Sequence, residues 1–333
     1  MDGATPLTTD ALSRLTALLE AELKATNEAI IARMDSPVVL IPRLAAHIVA
    51  AGGKRMRPLL TLATAKLCGY SGNRQVKLAA CVEFIHTATL LHDDVVDESV
   101  LRRGFASANA VFGNKASVLV GDFLFSRAFE LMVEDGSLEV LRILSAASAT
   151  IAEGEVLQLT TQNDISTTAQ KYFDVIRGKT AALFAAAAEV GGVIAGASAE
   201  DCAALREFGM DLGMAFQLVD DALDYSADQA ELGKTVGDDF REGKLTYPVI
   251  LALAEANAEE RAFWVRTLEE SDHAEKSLAT ALGLIKKYDA TARTIARADQ
   301  FVDSAVNRLA RFRESEVRTA LADVARYTTA RRH

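Results

Sequence analysis

The stretch Leu78–Asp97, LAACVEFIHTATLLHDDVVD, holds the pattern that decides the fold. Leu78, Val82, Ile85 and Thr89 recur at steps of three and four, which places them on one stripe of an amphipathic helix. The helix runs into Asp93, Asp94 and Asp97. At 100° per residue the first and last of these lie about 40° apart and the middle one about 60° from the last. All three carboxylates therefore share one side. Like charges at i,i+4 destabilise a helix, so the arrangement invites a cation. An all-oxygen ligand set on a fixed helix suits Mg²⁺, which keeps waters and bridges to substrate phosphates. A single cluster of this kind is commonly a solvated face. Here a second one, Asp220, Asp221 and Asp224 in DDALD, again closes an apolar helical segment. An EF-hand is excluded, because its loop needs ligands at alternate positions around a central Gly.

The surrounding chain predicts an all-α protein. Prolines stand only at 6, 37, 42, 58 and 248, and Leu59 to Tyr247 is proline-free and rich in Ala and Leu. Strand signals are weak; Val38 to Ile41 is the one short β-branched run, and prolines bound it. Around Leu119, Phe123, Ser126 and Leu131 an amphipathic helix is expected from about 116 to 134. Further helices are expected near 8–34, 59–68, 139–161, 168–195, 200–225, 248–256, 259–270, 275–288, 291–312 and 314–330. Gly52-Gly53, Gly69 to Asn73, Gly113-Asn114 and Gly233 to Gly243 read as loops. No Gly/Ser- or Pro-rich linker divides the chain and no 20–50-residue repeat occurs. One helical domain over 1–333 is the expectation, with the motifs between about 40 and 250.

Of the 333 residues, 50% are hydrophobic and 25% charged, enough for a large core. The formal net charge of −10 argues against nucleic acid as partner. Cys68, Cys81 and Cys202 lack metal or redox spacing and read as small buried hydrophobes of a reducing compartment. The start of the chain does not read as a signal peptide, and no apolar run is long enough for a membrane span. A cytoplasmic protein is expected.

An acidic chain that binds anions must gather cations locally, and this one does. Gly52-Gly53-Lys54-Arg55-Met56-Arg57-Pro58 puts three cations in a glycine-led loop before a helix that Pro58 can open. Arg102-Arg103-Gly104 follows the first aspartates. Lys179-Thr180 opens a small-residue helix. Lys234 and Lys244 flank the loop after the second aspartates. His86, seven residues before Asp93, points within about 20° of it two turns away. Gln217 is aligned with Asp221 and Asp224 in the same way.

In the order GGKRMRP, His86, DDVVDESVLRRG, Gly178-Lys179-Thr180, Phe216-Gln217-Leu218-Val219 before DDALD, and Gly233-Lys234, the chain resembles the trans-isoprenyl diphosphate synthases. The resemblance implies the all-α isoprenoid synthase fold, a helical bundle around a central cavity, usually as a homodimer. It implies that Asp93, Asp97 and Asp220 bind three Mg²⁺, with Asp94, Asp221 and Asp224 completing two acidic walls. Arg102, Lys179 and Lys234 would hold an allylic diphosphate such as farnesyl diphosphate, with Lys244 beside them. Lys54, Arg57, His86 and Arg103 would hold isopentenyl diphosphate, and Thr180 and Gln217 would line the reacting carbons beside Lys179. Short-chain members carry bulky aromatics four and five residues before the first motif. Here Thr89 and Ala88 stand there, so an open tunnel and a long product of eight to ten isoprene units, such as a quinone side chain, are expected. Phe129, with Phe125 and Met132, is the expected floor. Two competing readings are a class I terpene cyclase and a non-catalytic subunit of a heteromeric synthase. The first has no use for the Lys54, Arg57 and His86 group, and the second tends to lose an aspartate motif.

Overall fold

The computed structural model describes residues 10–50, 52–102, 104–226, 236–270 and 275–330. Its architecture is organised by α10 (Ala182–Ile194), ALFAAAAEVGGVI, in which every side chain from Ala182 to Gly192 is buried. A helix that is apolar all round belongs in the centre of a bundle. Around it pack α4 (Met56–Leu67), α5 (Arg74–Val96), α8 (Leu138–Leu159) and α11 (Ala199–Asp224). The far side of α11 is covered by the helix Ala290–Leu309, and the C-terminal helix Glu316–Ala330 packs on that one and on α1 (Asp10–Leu18). α2 (Glu20–Arg33) lies along α5. Among the described residues strand is confined to a two-stranded antiparallel hairpin, β1 (Leu101–Arg102) and β2 (Phe105–Ala106), so the all-α expectation holds.

Local chemistry sets the helix ends. Ser137, Thr168 and Ser198 each accept a hydrogen bond from the backbone N–H three residues on, opening α8, α9 (Ala169–Ile176) and α11. Each such cap contributes about 1 kcal/mol. Gly136, at φ +76, closes α7 (Asn114–Asp135) in the left-handed conformation that glycine tolerates best.

Several sequence expectations are corrected. The helix expected over 8–34 is broken at Leu19, whose backbone leaves helical geometry between α1 and α2. The β-branched run at 38–41 leads into a helix, α3 (Leu40–Ala50), and a five-residue helix α6 (Ala108–Phe112) precedes α7; both were missed. Within the expected loop 233–243, Asp238–Arg241 forms a helical turn. Leu119 is not on the buried stripe of α7; it is 66% exposed. That helix buries Ser117, Val120, Gly121, Leu124, Ala128, Leu131 and Met132 instead. Small residues on the inner face let it approach α5 closely. The apolar side chains of Val118, Leu119, Phe129 and Val133 are exposed.

Candidate active site

Both aspartate clusters stand at helix C-termini, α5 for the first and α11 for the second, where the chain leaves the bundle. Helical periodicity makes their three members unequal. Asp94 is 2% exposed, and its Oδ1 accepts from Arg102 Nε at 2.6 Å and Nη2 at 2.5 Å. The hairpin makes this possible: Arg102 pairs with Phe105 across a turn in which Gly104 has φ +80. Asp221 is 4% exposed and accepts from Tyr172 Oη at 2.6 Å and Gln217 Nε2 at 2.7 Å. Gln217 Oε1 in turn accepts from Thr180 Oγ1 at 2.9 Å. Asp224 accepts from the backbone N–H groups of Asp238 and Asp239 at 3.2 and 3.1 Å, and so ties the following segment to α11. These three carboxylates have protein partners that fix them. Asp93 and Asp97 are half-buried and Asp220 is exposed.

Two lysines span the space between the clusters. Lys244 Nζ donates to Asp97 Oδ2 at 3.0 Å and also bonds Glu242. Burial alone would lower the pKa of its ammonium, but the charges of Asp239, Asp97 and Glu242 outweigh burial and raise it. Lys179 Nζ donates to Glu155 Oε2 at 2.7 Å. Lys179 does not open a regular helix as expected. It sits in a π-helical turn, Arg177–Ala181, between α9 and α10. Such turns often mark functional positions, and this one carries Gly178, Lys179 and Thr180. The turn is pressed against α8: a Cβ on Gly154 would lie 2.5 Å from Lys179 N and 2.8 Å from Gly178 C. A cavity of about 90 Å³ is lined by Lys179, Thr180, Gln217, Asp221, Tyr172 and Lys244.

The field of this region is strongly acidic. Burial raises the pKa of Asp93, with Lys179 pulling it down and Asp97 pushing it up. Burial likewise pushes Asp221 up to about 7 and Asp224 up to about 6. Asp239 is held well above the carboxylate range by burial and by the charges of Asp224 and Asp221. Raised carboxylates clustered around two ammonium groups are what a site for further cations looks like when protons and lysines stand in for them. Among the described residues no three His, Cys, Asp or Glu side chains converge to hold a metal unaided. Mg²⁺ commonly takes one or two carboxylates and completes its shell with waters and phosphate oxygens, so the residues present fit that ion together with a diphosphate.

A separate group of cations lies two turns back along α5. Arg57, in the first turn of α4, shares a hydrogen bond with His86 Nε2 at 3.1 Å and lies 4.3 Å over the Phe184 ring. Lys54 is exposed in the preceding loop. Arg55, beside it, is folded onto Glu83 in an ion pair and has φ +48. Arg103 and Lys234 lie outside the described residues. Ala88 is fully buried and Thr89 half-buried, donating to the His86 carbonyl at 2.8 Å. Phe125 is half-buried and Met132 buried, whereas Phe129 is 45% exposed. Sequence reasoning missed Glu155, Tyr172 and Asp239. Glu155 and Tyr172 sit in segments read only as helices, and nothing in their local spacing singled them out.

The sequence pattern of the polyprenyl synthetase family matches residues 38–285. The chain is 46% identical over 314 residues to octaprenyl diphosphate synthase of Escherichia coli (strain K12), covering 94% of this chain and 97% of that one. It superposes on a decaprenyl diphosphate synthase from Rhodobacter capsulatus with a TM-score of 0.92 at 51% identity, covering 96% and 99% of the two chains. A polyprenyl synthase from Caulobacter crescentus CB15, complexed with calcium and isoprenyl diphosphate, matches with a TM-score of 0.93 at 49% identity, covering 97% and 98%. With its two aspartate clusters, its separate cation group and its all-helical frame, this chain belongs to the polyprenyl synthetase family.

Proposed function

We propose that the protein is a Mg²⁺-dependent prenyltransferase that condenses isopentenyl diphosphate with an allylic diphosphate, such as farnesyl diphosphate, to build an all-trans polyprenyl diphosphate. The observation that carries this reading is the presence of two distinct anion sites on one helix frame. One lies between the aspartate clusters, with Lys179 and Lys244 across it. The other is the Lys54, Arg57 and His86 group two turns from Asp93. A hydrolase or a cyclase needs only the first.

Asp93, Asp97 and Asp220 would hold Mg²⁺, as many as three ions once the allylic diphosphate is bound. Bound Mg²⁺ supplies neutralisation of the leaving diphosphate. Lys179 and Lys244, with Lys234 and Arg102, orient the allylic diphosphate and share that task. Lys54, Arg57 and His86, with Arg103, hold isopentenyl diphosphate so that its double bond faces the allylic carbon. Thr180 and Gln217, joined by their hydrogen bond, line the reacting carbons. Ionisation gives an allylic cation, the double bond attacks it, and the departing diphosphate takes the proton that is lost. The chain's residues act by position and charge.

Small side chains at Ala88 and Thr89 support a long product, eight to ten isoprene units, as in a quinone side chain. The outward apolar face of α7 supports a homodimer, since contiguous exposed apolar surface of this kind marks an interaction site. In the single chain Phe129 faces outward, so a floor at Phe129 requires that second copy to close the tunnel. Static light scattering at twice the chain mass is the test of the dimer.

The functional test incubates the purified chain, alone, with farnesyl diphosphate and labelled isopentenyl diphosphate, with and without Mg²⁺. Metal-dependent incorporation into a prenyl diphosphate is expected. No incorporation by folded protein would favour a partner-subunit role, and a cyclic hydrocarbon from the primer alone would favour a cyclase.

A further inference from the structure

We propose that Glu155 is a positioning residue that holds the Lys179 ammonium away from Asp93, so that Lys179 stays aimed at the allylic diphosphate and Asp93 stays available to a divalent cation. The proposal rests on the prenyltransferase reading above and assigns a task to a side chain that this reading does not use.

Lys179 faces two carboxylates. Glu155 receives its hydrogen bond at 2.7 Å, and Asp93 feels its charge more than that of any other neighbour. An ammonium carries three donors and no acceptor. With Glu155 absent, Lys179 would be free to turn to Asp93, and a Lys179–Asp93 ion pair would occupy the oxygens that a metal needs. With Glu155 present, one donor is spent away from Asp93 and two remain for a phosphate. The pair is only 21% and 26% exposed, so it is less screened than a surface ion pair.

The offset between the two groups is built into the backbone. Gly154, adjacent to Glu155 on α8, contacts Gly178 and Lys179 of the π turn with no room for a side chain. The backbone of Glu155 therefore keeps a fixed offset from that of Lys179. Its carboxyl sits in a costly place: burial, with the charges of Asp93 and Asp97 and against the pull of Lys179, raises it to about 7. A carboxylate beside a diphosphate site weakens anion binding unless it has a task there.

Glu155→Gln keeps the shape and one acceptor oxygen but removes the charge. Mn²⁺, titrated in the presence of inorganic pyrophosphate and followed through the electron paramagnetic resonance signal of the free ion, reads metal binding without turnover. The variant's Mn²⁺ half-saturation is expected to rise roughly five- to tenfold, the effect of about one partly screened charge pair. Steady-state KM for the allylic diphosphate should rise with it, while KM for isopentenyl diphosphate stays within about twofold. Glu155→Asp, which retracts the carboxylate by one methylene, should fall between the two, and it carries the test if Glu155→Gln does not fold. Wild-type metal affinity in the variants, or an equal rise in both KM values, would overturn the proposal. Wild-type protein that binds no Mn²⁺ with pyrophosphate would instead overturn the prenyltransferase reading.

Discussion

Substituting Gly154 by Ala isolates the positioning of Lys179 from its chemistry. The added methyl carbon would meet Lys179 N at 2.5 Å, Gly178 C at 2.8 Å and Gly178 Cα at 3.1 Å, all backbone atoms that cannot rotate aside. Ordinary contact begins near 3.4 Å, so α8 and the π turn must part by roughly 0.9 Å. Overpacking of this kind costs about 1–3 kcal/mol. Replacing a mid-helix Gly by Ala returns about 1 kcal/mol of helix propensity. Net destabilisation should therefore be modest, on the order of 0–2 kcal/mol. A misplacement near 1 Å, by contrast, can reduce turnover about a hundredfold. Urea unfolding followed by circular dichroism measures the first quantity, and labelled isopentenyl diphosphate incorporation measures the second. The expected signature is a folded protein with turnover reduced about 10²-fold. Turnover within about threefold of wild type would refute the claim that the α8 contact sets the geometry of Lys179.

Tyr172→Phe removes one of the two donors to the buried Asp221 carboxylate, which should cost about 1.5–3 kcal/mol in urea unfolding and lower kcat while sparing KM for isopentenyl diphosphate; an unchanged midpoint would contradict the Thr180–Gln217–Asp221–Tyr172 chain. The acidic cluster also sets a pH dependence. Burial holds Asp221 and Glu155 near 7 and Asp224 near 6, so between about pH 4 and 7 the native state binds more protons than the unfolded state. The contribution of these groups to stability falls as pH rises through that window. The protein without metal should melt higher at pH 6 than at pH 8, and Mg²⁺ with pyrophosphate should stabilise it more at pH 8; a metal-free Tm that climbs from 6 to 8 would count against this. Phe129→Ala should lengthen the products on reversed-phase chromatography, and an unchanged distribution would remove Phe129 from the tunnel floor.

Much of the fold was legible because its signals are local. A proline-free run of Ala and Leu from 59 to 247 has few alternatives to helix, and the observed bounds of α8, α9 with α10, and α11 fall within a residue or two of those expected. Both aspartate clusters were legible for the same reason: three carboxylates on one side of a helix are a property of spacing alone. What spacing does not carry is which carboxylate meets which partner across the bundle. Nothing in the spacing announces that Asp94 meets Arg102 or that Asp221 meets Tyr172. Glu155 meets Lys179 across 24 residues of chain, and Lys244 meets Asp97 across 147, so neither pair has a local signature. Leu119 misled for a related reason. The inner face of α7 mixes small residues, Ser117, Gly121 and Ala128, with Val120, Leu124, Leu131 and Met132, so hydrophobicity alone does not pick it out, and Leu119, Phe129 and Val133 are left outside.

The most direct test of the account is the length of the product that the purified chain makes from farnesyl diphosphate and labelled isopentenyl diphosphate with Mg²⁺, sized after dephosphorylation. The proposed function, with small side chains at Ala88 and Thr89, predicts a ladder that ends at about eight to ten isoprene units, because each added unit extends the chain by roughly five carbons whose burial in apolar surroundings is favourable. A ladder that stops at three or four units would contradict the proposed role of Ala88 and Thr89.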